Sequence, residues 1–168
     1  MTLLKQLAQK KAAIVDKWFE STLHAYPADA ARLFHNNKDP FANPVGHTTR
    51  QTLETVFDVL VESLDRSAAE ASLTPLIRIR AVQAFSPSQA LGFIFDLKAI
   101  IRGAAGTASA QEDMVAAERR IDDIALVAFD IFMQCREKIY DLKANEVRSR
   151  TFKAFARAGL IQDSPESV

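Results

Sequence analysis

Three histidines, His24, His35 and His47, are the first side chains in the sequence that could hold a metal or a haem. His35 and His47 flank a turn-rich segment in which Asp39 could add a carboxylate. They stand twelve residues apart, which is not a compact ligand spacing, and no HExxH or paired-cysteine pattern joins them. Exposed loop histidines are the expected outcome, with no metal. A haem needs an axial ligand facing a pocket, and His24, near the end of an amphipathic helix, is poorly placed for one. Cys135 falls in the apolar register of a long helical stretch, where a thiol is expected to be buried and inert. Asp122 and Asp123 adjoin Arg119 and Arg120, a pattern that a solvated ion-pair face explains. No Ser-His-Asp arrangement can be proposed from residue order. No catalytic residue and no cofactor are expected.

Arg78 and Arg80 are set among apolar residues. Two positions apart on a helix, they point to nearly opposite sides, so at most one enters the core. A buried guanidinium needs carboxylate or carbonyl partners. Asp96 is the expected carboxylate, giving a buried ion pair that fixes two helices. The run KANEVRSRTFKAFARAG sets Lys143, Arg148, Arg150, Lys153 and Arg157 against one acid, Glu146, with Phe152 and Phe155 as an apolar edge. Such a helix suits a partner groove, an acidic surface, a membrane interface or its own domain.

These residues must be positioned by helices. Apolar residues recur at helical spacing from Leu4 to Leu23. A short helix through Leu33 and Phe34 follows, and then a loop over 35–47 that Phe41 and Val45 are expected to pin. A helix is expected from Thr48 to Leu64, with Thr48 and Gln51 at capping-box spacing. A polar connector over 65–73 then leads to Thr74-Pro75, read as the start of the next helix. Ser86, Pro87 and Gln89 form a structural corner, with an N-cap, a first-turn proline and a capping-box partner. Beyond it, Ala90 to Ile101 is apolar around most of its circumference and reads as a buried central helix with Phe95 in the core. Ser109 and Glu112 repeat the capping spacing ahead of a helix running from about 110 to 157. Ile121, Ile124, Ala128, Ile131, Cys135 and Leu142 follow alternating steps of three and four with Lys138 interrupting, and Ile121, Ile124, Ile131 and Leu142 with Arg148, Phe152 and Phe155 form the candidate dimer or partner face.

The expected architecture is all-α, one compact helical domain over residues 1–160 with a long C-terminal helix and a flexible tail over 161–168. A chain of 168 residues with 48% hydrophobic and 25% charged residues can bury a real core. Twenty-one basic and twenty-one acidic residues balance, so no overall field for nucleic acid is present. Five glycines disfavour glycine-rich phosphate loops, and the single cysteine excludes an internal disulfide. No window approaches the roughly 20 apolar residues of a membrane span. A cytoplasmic protein is expected.

WFESTLHAYP, DPFANPVG, RAVQAFSPSQALGFIFDLK and CREKIYDLKANEVRSR together resemble the RsbRD N-terminal domain family. These are the sensory modules of stressosome co-antagonist proteins, and the likeness covers roughly residues 14–155. The resemblance implies a globin-like helical domain without haem, which dimerises and sends a helix toward a C-terminal STAS domain. The sequence stops where that domain would begin, so such a member is expected to bind something else or pair with another member. The expected function is non-enzymatic and regulatory, acting through a homodimer and an unidentified regulatory protein, without nucleic acid or membrane insertion. The alternative is a small-molecule or redox sensor with a pocket beside the central helix, lined by Trp18, Phe93, Phe95, Phe129 and Phe132.

Overall fold

The helical spacing along the chain becomes eight helices and no strand among the residues that the computed structural model describes, 2–62, 65–106 and 110–161. They are α1 (Leu3–Gln9), α2 (Lys11–Leu23), α3 (Ala28–Asn36), α4 (Pro44–Val61), α5 (Arg66–Val82), α6 (Pro87–Leu91), α7 (Phe93–Ala105) and α8 (Gln111–Arg157). Leu64, the Ser109–Glu112 box and the tail from 162 onward lie outside the described residues. The core is one cluster: Trp18, Phe57, Leu53, Leu60, Leu73, Leu76, Ile77, Ile94 and Phe132 are all essentially sealed from solvent. Helix α5 packs against α4 and α8, while α2 and α7 close the other side.

Local chemistry sets the helix starts, and two of them differ from expectation. Helix α4 begins at Pro44 rather than Thr48, because the Asn43 side chain accepts from Gly46 N at 2.9 Å and Pro44 suits the first turn. Helix α5 begins at Arg66 rather than Thr74, capped by the Asp65 carboxylate on Ala68 N at 3.0 Å. Pro75 therefore lies inside α5. An interior proline costs about 3 kcal/mol, and here the burial of Leu73, Leu76 and Ile77 on both sides of it keeps the helix whole. The Ser86–Gln89 capping box forms as read from the sequence. Gly92 then separates α6 from α7, at a place where a Cβ would meet the Ser88 carbonyl oxygen at 2.8 Å.

Helix α7 is not enclosed all round. Phe93, Ile94, Leu97 and Ile101 face the core, but Phe95 is 50% exposed, and Asp96 and Arg102 share its open side. The helix lies between α2 and α8 at the edge of the body, so it has a wet face despite its composition. Phe41 is likewise not an anchor: it is 97% exposed, and Asn43 holds the α3–α4 connection instead. Cys135 is only half-buried.

Phe57→Ala is expected to lower the unfolding free energy by about 3–5 kcal/mol. Phe95→Ala, at a half-exposed site, should cost less than about 1 kcal/mol. Urea denaturation of the two variants checks the difference.

Candidate functional site

Arg80 projects from α5 into the core and is completely buried. Its partners are main-chain oxygens. Nη2 donates to Thr22 O at 2.9 Å, and Nη1 donates to Ala90 O at 3.1 Å and Gln89 O at 3.2 Å. The rings of Phe93, Tyr26 and Phe85 surround the guanidinium, with centroids 4.8, 5.4 and 5.5 Å from Cζ. Nε has no hydrogen-bond partner. Burial lowers the guanidinium pKa below its ordinary value, and the neighbouring Tyr26 partly offsets this. The ion pair expected with Asp96 does not form. Asp96 is exposed and accepts from Ser21 Oγ at 2.6 Å, and Arg78 is on the surface. The carbonyls of Thr22 and Ala90 belong to the last turns of α2 and α6, where no intrahelical N–H reaches them. A cation there also meets the negative end of each helix dipole.

The same device recurs. Arg120 Nη1 donates to Leu60 O at 2.8 Å, Arg136 Nη1 to Ala81 O at 3.2 Å, and Lys10 Nζ to Ala104 O at 2.6 Å. These oxygens belong to the penultimate residues of α4, α5 and α7. With Thr22 and Ala90, five helices thus present the same carbonyl to a cation from elsewhere in the chain.

Helix α8 has two apolar faces. Ile121, Ile124 and Ile131, expected on a partner face, are instead buried in the domain's own core with Ala117, Ala128 and Phe132. Leu142, Arg148, Phe152 and Phe155 of that expected face are exposed. On the side away from the core, Leu126, Met133, Tyr140 and Val147 recur every seven residues and are 62, 37, 56 and 62% exposed. Phe129 lies beside them. At 100° per residue this stripe points opposite to Ile124 and Ile131. The heptad spacing of the stripe is the feature that reading one register along the sequence missed. Beyond Ile139 the helix is exposed almost everywhere. At the root of this free part, α5 and α8 enclose a groove of about 550 Å³ lined by Thr74, Arg78, Val82, Cys135, Ile139 and Leu142, among others.

The five aromatics expected around a ligand are split. Trp18, Phe93 and Phe132 are packed in the core, and Trp18 Nε1 donates to Phe93 O at 2.7 Å, while Phe95 and Phe129 face solvent. His24 is exposed on the cavity that Tyr26 and His35 also line. His35 and His47, far apart in sequence, line one pocket with Lys38 and Arg50. Among the described residues no three His, Cys, Asp or Glu side chains gather as a metal site requires. Asp122 is paired across helices with Lys98 at 2.6 Å. No helix among the described residues is long and apolar enough to cross a membrane.

A family model described as the RsbT co-antagonist protein rsbRD N-terminal domain matches residues 12–147. No curated protein and no solved structure gives a significant match.

Arg80→Lys is expected to destabilise the fold by about 1–3 kcal/mol for each carbonyl left unpaired, because a compact ammonium cannot span oxygens that a planar guanidinium bridges. Thermal and urea unfolding measure the loss, and a variant as stable as the parent would remove Arg80 from its structural role.

Proposed function

The chain belongs to the RsbT co-antagonist protein rsbRD N-terminal domain family, and on that premise we propose that it is a non-enzymatic regulatory module that pairs with a second copy and docks a signalling protein along α8. The observation that carries the proposal is the outward stripe of Leu126, Met133, Tyr140 and Val147. A seven-residue apolar repeat supplies one of the two apolar positions that a coiled-coil seam uses, and Phe129, three residues after Leu126 and 46% exposed, supplies the other at its first turn. Its length adds support. Helix α8 has 47 residues, about 70 Å at 1.5 Å each, and the body covers only the first half.

Isolated helices draw little stability from propensity and depend on a packed face. Pairing would supply that face from Leu126 to Val147 and leave the basic end, with Arg150, Lys153 and Arg157, as a contact for a partner. The α5–α8 groove at its root, carrying Arg78 and Lys138 beside Val82 and Leu142, gives the same partner a second foothold on the rigid body. In this reading, a shift of α5 against α8 is the change that a partner would sense. The family description names a co-antagonist, so the partner is taken to be a protein of a regulatory cascade.

Sedimentation equilibrium should give twice the 18.6 kDa chain mass. The double variant Met133→Glu, Tyr140→Glu should give a monomer with an unchanged circular dichroism melt of the body. A parent protein that is monomeric at micromolar concentration, or a double variant that still pairs, would contradict the seam.

A further inference from the structure

Lys38, His47 and Arg50 converge on a preformed pocket where α2, the end of α3 and the start of α4 meet. We infer that this pocket binds a small organic anion, with its carboxylate or phosphate group held by these three residues and its flat body against Phe34. The cavity measures about 420 Å³, with Phe19 and Phe34 as its apolar walls and His35 also on its rim. That volume is in the range of small-molecule sites, and it far exceeds the room that one inorganic anion needs.

The floor is fixed by Asn43, which is 3% exposed. Its Nδ2 donates to Phe34 O at 2.9 Å and to Asn37 O at 2.7 Å, and its Oδ1 accepts from Gly46 N at 2.9 Å. A Cβ at Gly46 would lie 2.6 Å from the Phe34 carbonyl oxygen and collide with the Asn43 side chain, so the close approach of α3 to α4 requires this glycine. Both Asn43 Nδ2 donors are thus used, so Asn43 has none to offer an anion and acts to shape the site.

The charged groups are arranged differently. Arg50 Cζ lies over the Phe19 ring, 4.5 Å from its centroid, and one of its donors, Nη1, is held by Asp16 Oδ1 at 2.7 Å. A guanidinium has five N–H donors, so Arg50 is oriented by this pair without being used up. Asp16 is the only carboxylate lining the pocket, and the cations Lys38 and Arg50 outnumber it before either histidine is counted. Glu20 lies outside the lining, 3.9 Å from His35 Nε2. Lys38 has no carboxylate partner among the described residues. A cavity with a stacked guanidinium, a free ammonium and imidazole donors above an aromatic wall suits anionic oxygens on a planar body. The site does not draw on α8 and stands apart from the pairing proposed above.

The test is a titration of ¹⁵N-labelled protein with benzoate, phenyl phosphate, inorganic phosphate and, as the cationic counterpart, benzylamine. Benzoate or phenyl phosphate should shift amides of residues 34–50 saturably, and whichever binds more tightly identifies the head group. Lys38→Glu, a change at an exposed unpaired residue, should weaken binding at least tenfold. Arg157→Glu, a matched charge reversal on α8, should leave it unchanged. The inference is overturned if neither aromatic anion shifts these amides, if benzylamine shifts them equally, or if Lys38→Glu and Arg157→Glu have the same effect. Inorganic phosphate binding as tightly as the aromatic anions would overturn the organic body of the ligand.

Discussion

A guanidinium sealed in a helical core without a carboxylate is the constraint on which the rest of this fold depends. Desolvating a charge is costly unless polar contacts replace the water it loses. Arg80 can be tolerated only because Thr22, Gln89 and Ala90 turn carbonyl oxygens toward it and Tyr26, Phe85 and Phe93 present ring faces. Those six residues lie on or beside α2, α6 and α7, so satisfying one side chain of α5 fixes where three other elements end or begin. The Ser86 corner then has a reason for its tight capping: it delivers the α6 carbonyls to Arg80 within five residues of helix.

The recurrence of cations at penultimate carbonyls follows from composition. Only five glycines are present, and glycine closes a described helix in the left-handed conformation only at Gly106 and near Gly159. The remaining helix ends need other donors for their orphan carbonyls. Arg80, Arg120 and Arg136 supply them from distant elements at α2, α6, α4 and α5, and Lys10 adds a donor at the end of α7 beside Gly106, so the closing of these five helices becomes a tertiary contact. This ties helix termination to packing, and it makes Arg136 on α8 a direct reporter of the end of α5 at Ala81. A partner that moves the free part of α8 would pull on that bond.

The sequence was most legible where the signal is local. The Ser86–Pro87–Gln89 box needs only residues within one turn, and it forms as read. Thr48 and Thr74-Pro75 carried comparable local signals, yet Asn43 and Asp65 became the caps, because burial extends α4 and α5 past those points. The all-helical class and the long α8 follow from periodicity alone. Phe95 and Arg80 could not be placed that way: which face of α7 is wet and which oxygens surround a buried arginine depend on neighbours distant in the chain. On α8 one apolar register concealed another. Ile121, Ile124 and Ile131 serve the core, while the seven-residue repeat of Leu126, Met133, Tyr140 and Val147 opposite them faces solvent. His35 and His47 illustrate the same limit, since the α3–α4 turn, anchored by Asn43, brings to one pocket two residues whose spacing suggested no shared site.

Helix α8 commits one face to its own body, and the proposed pairing commits the other to a second copy. Amide hydrogen exchange of residues 120–157, followed as protein concentration is raised, tests this most directly. Paired helices should show protection from Leu126 through Val147 that grows with concentration, while the amides around Arg80 stay equally protected throughout. Rapid exchange beyond Ile139 at every concentration would contradict it.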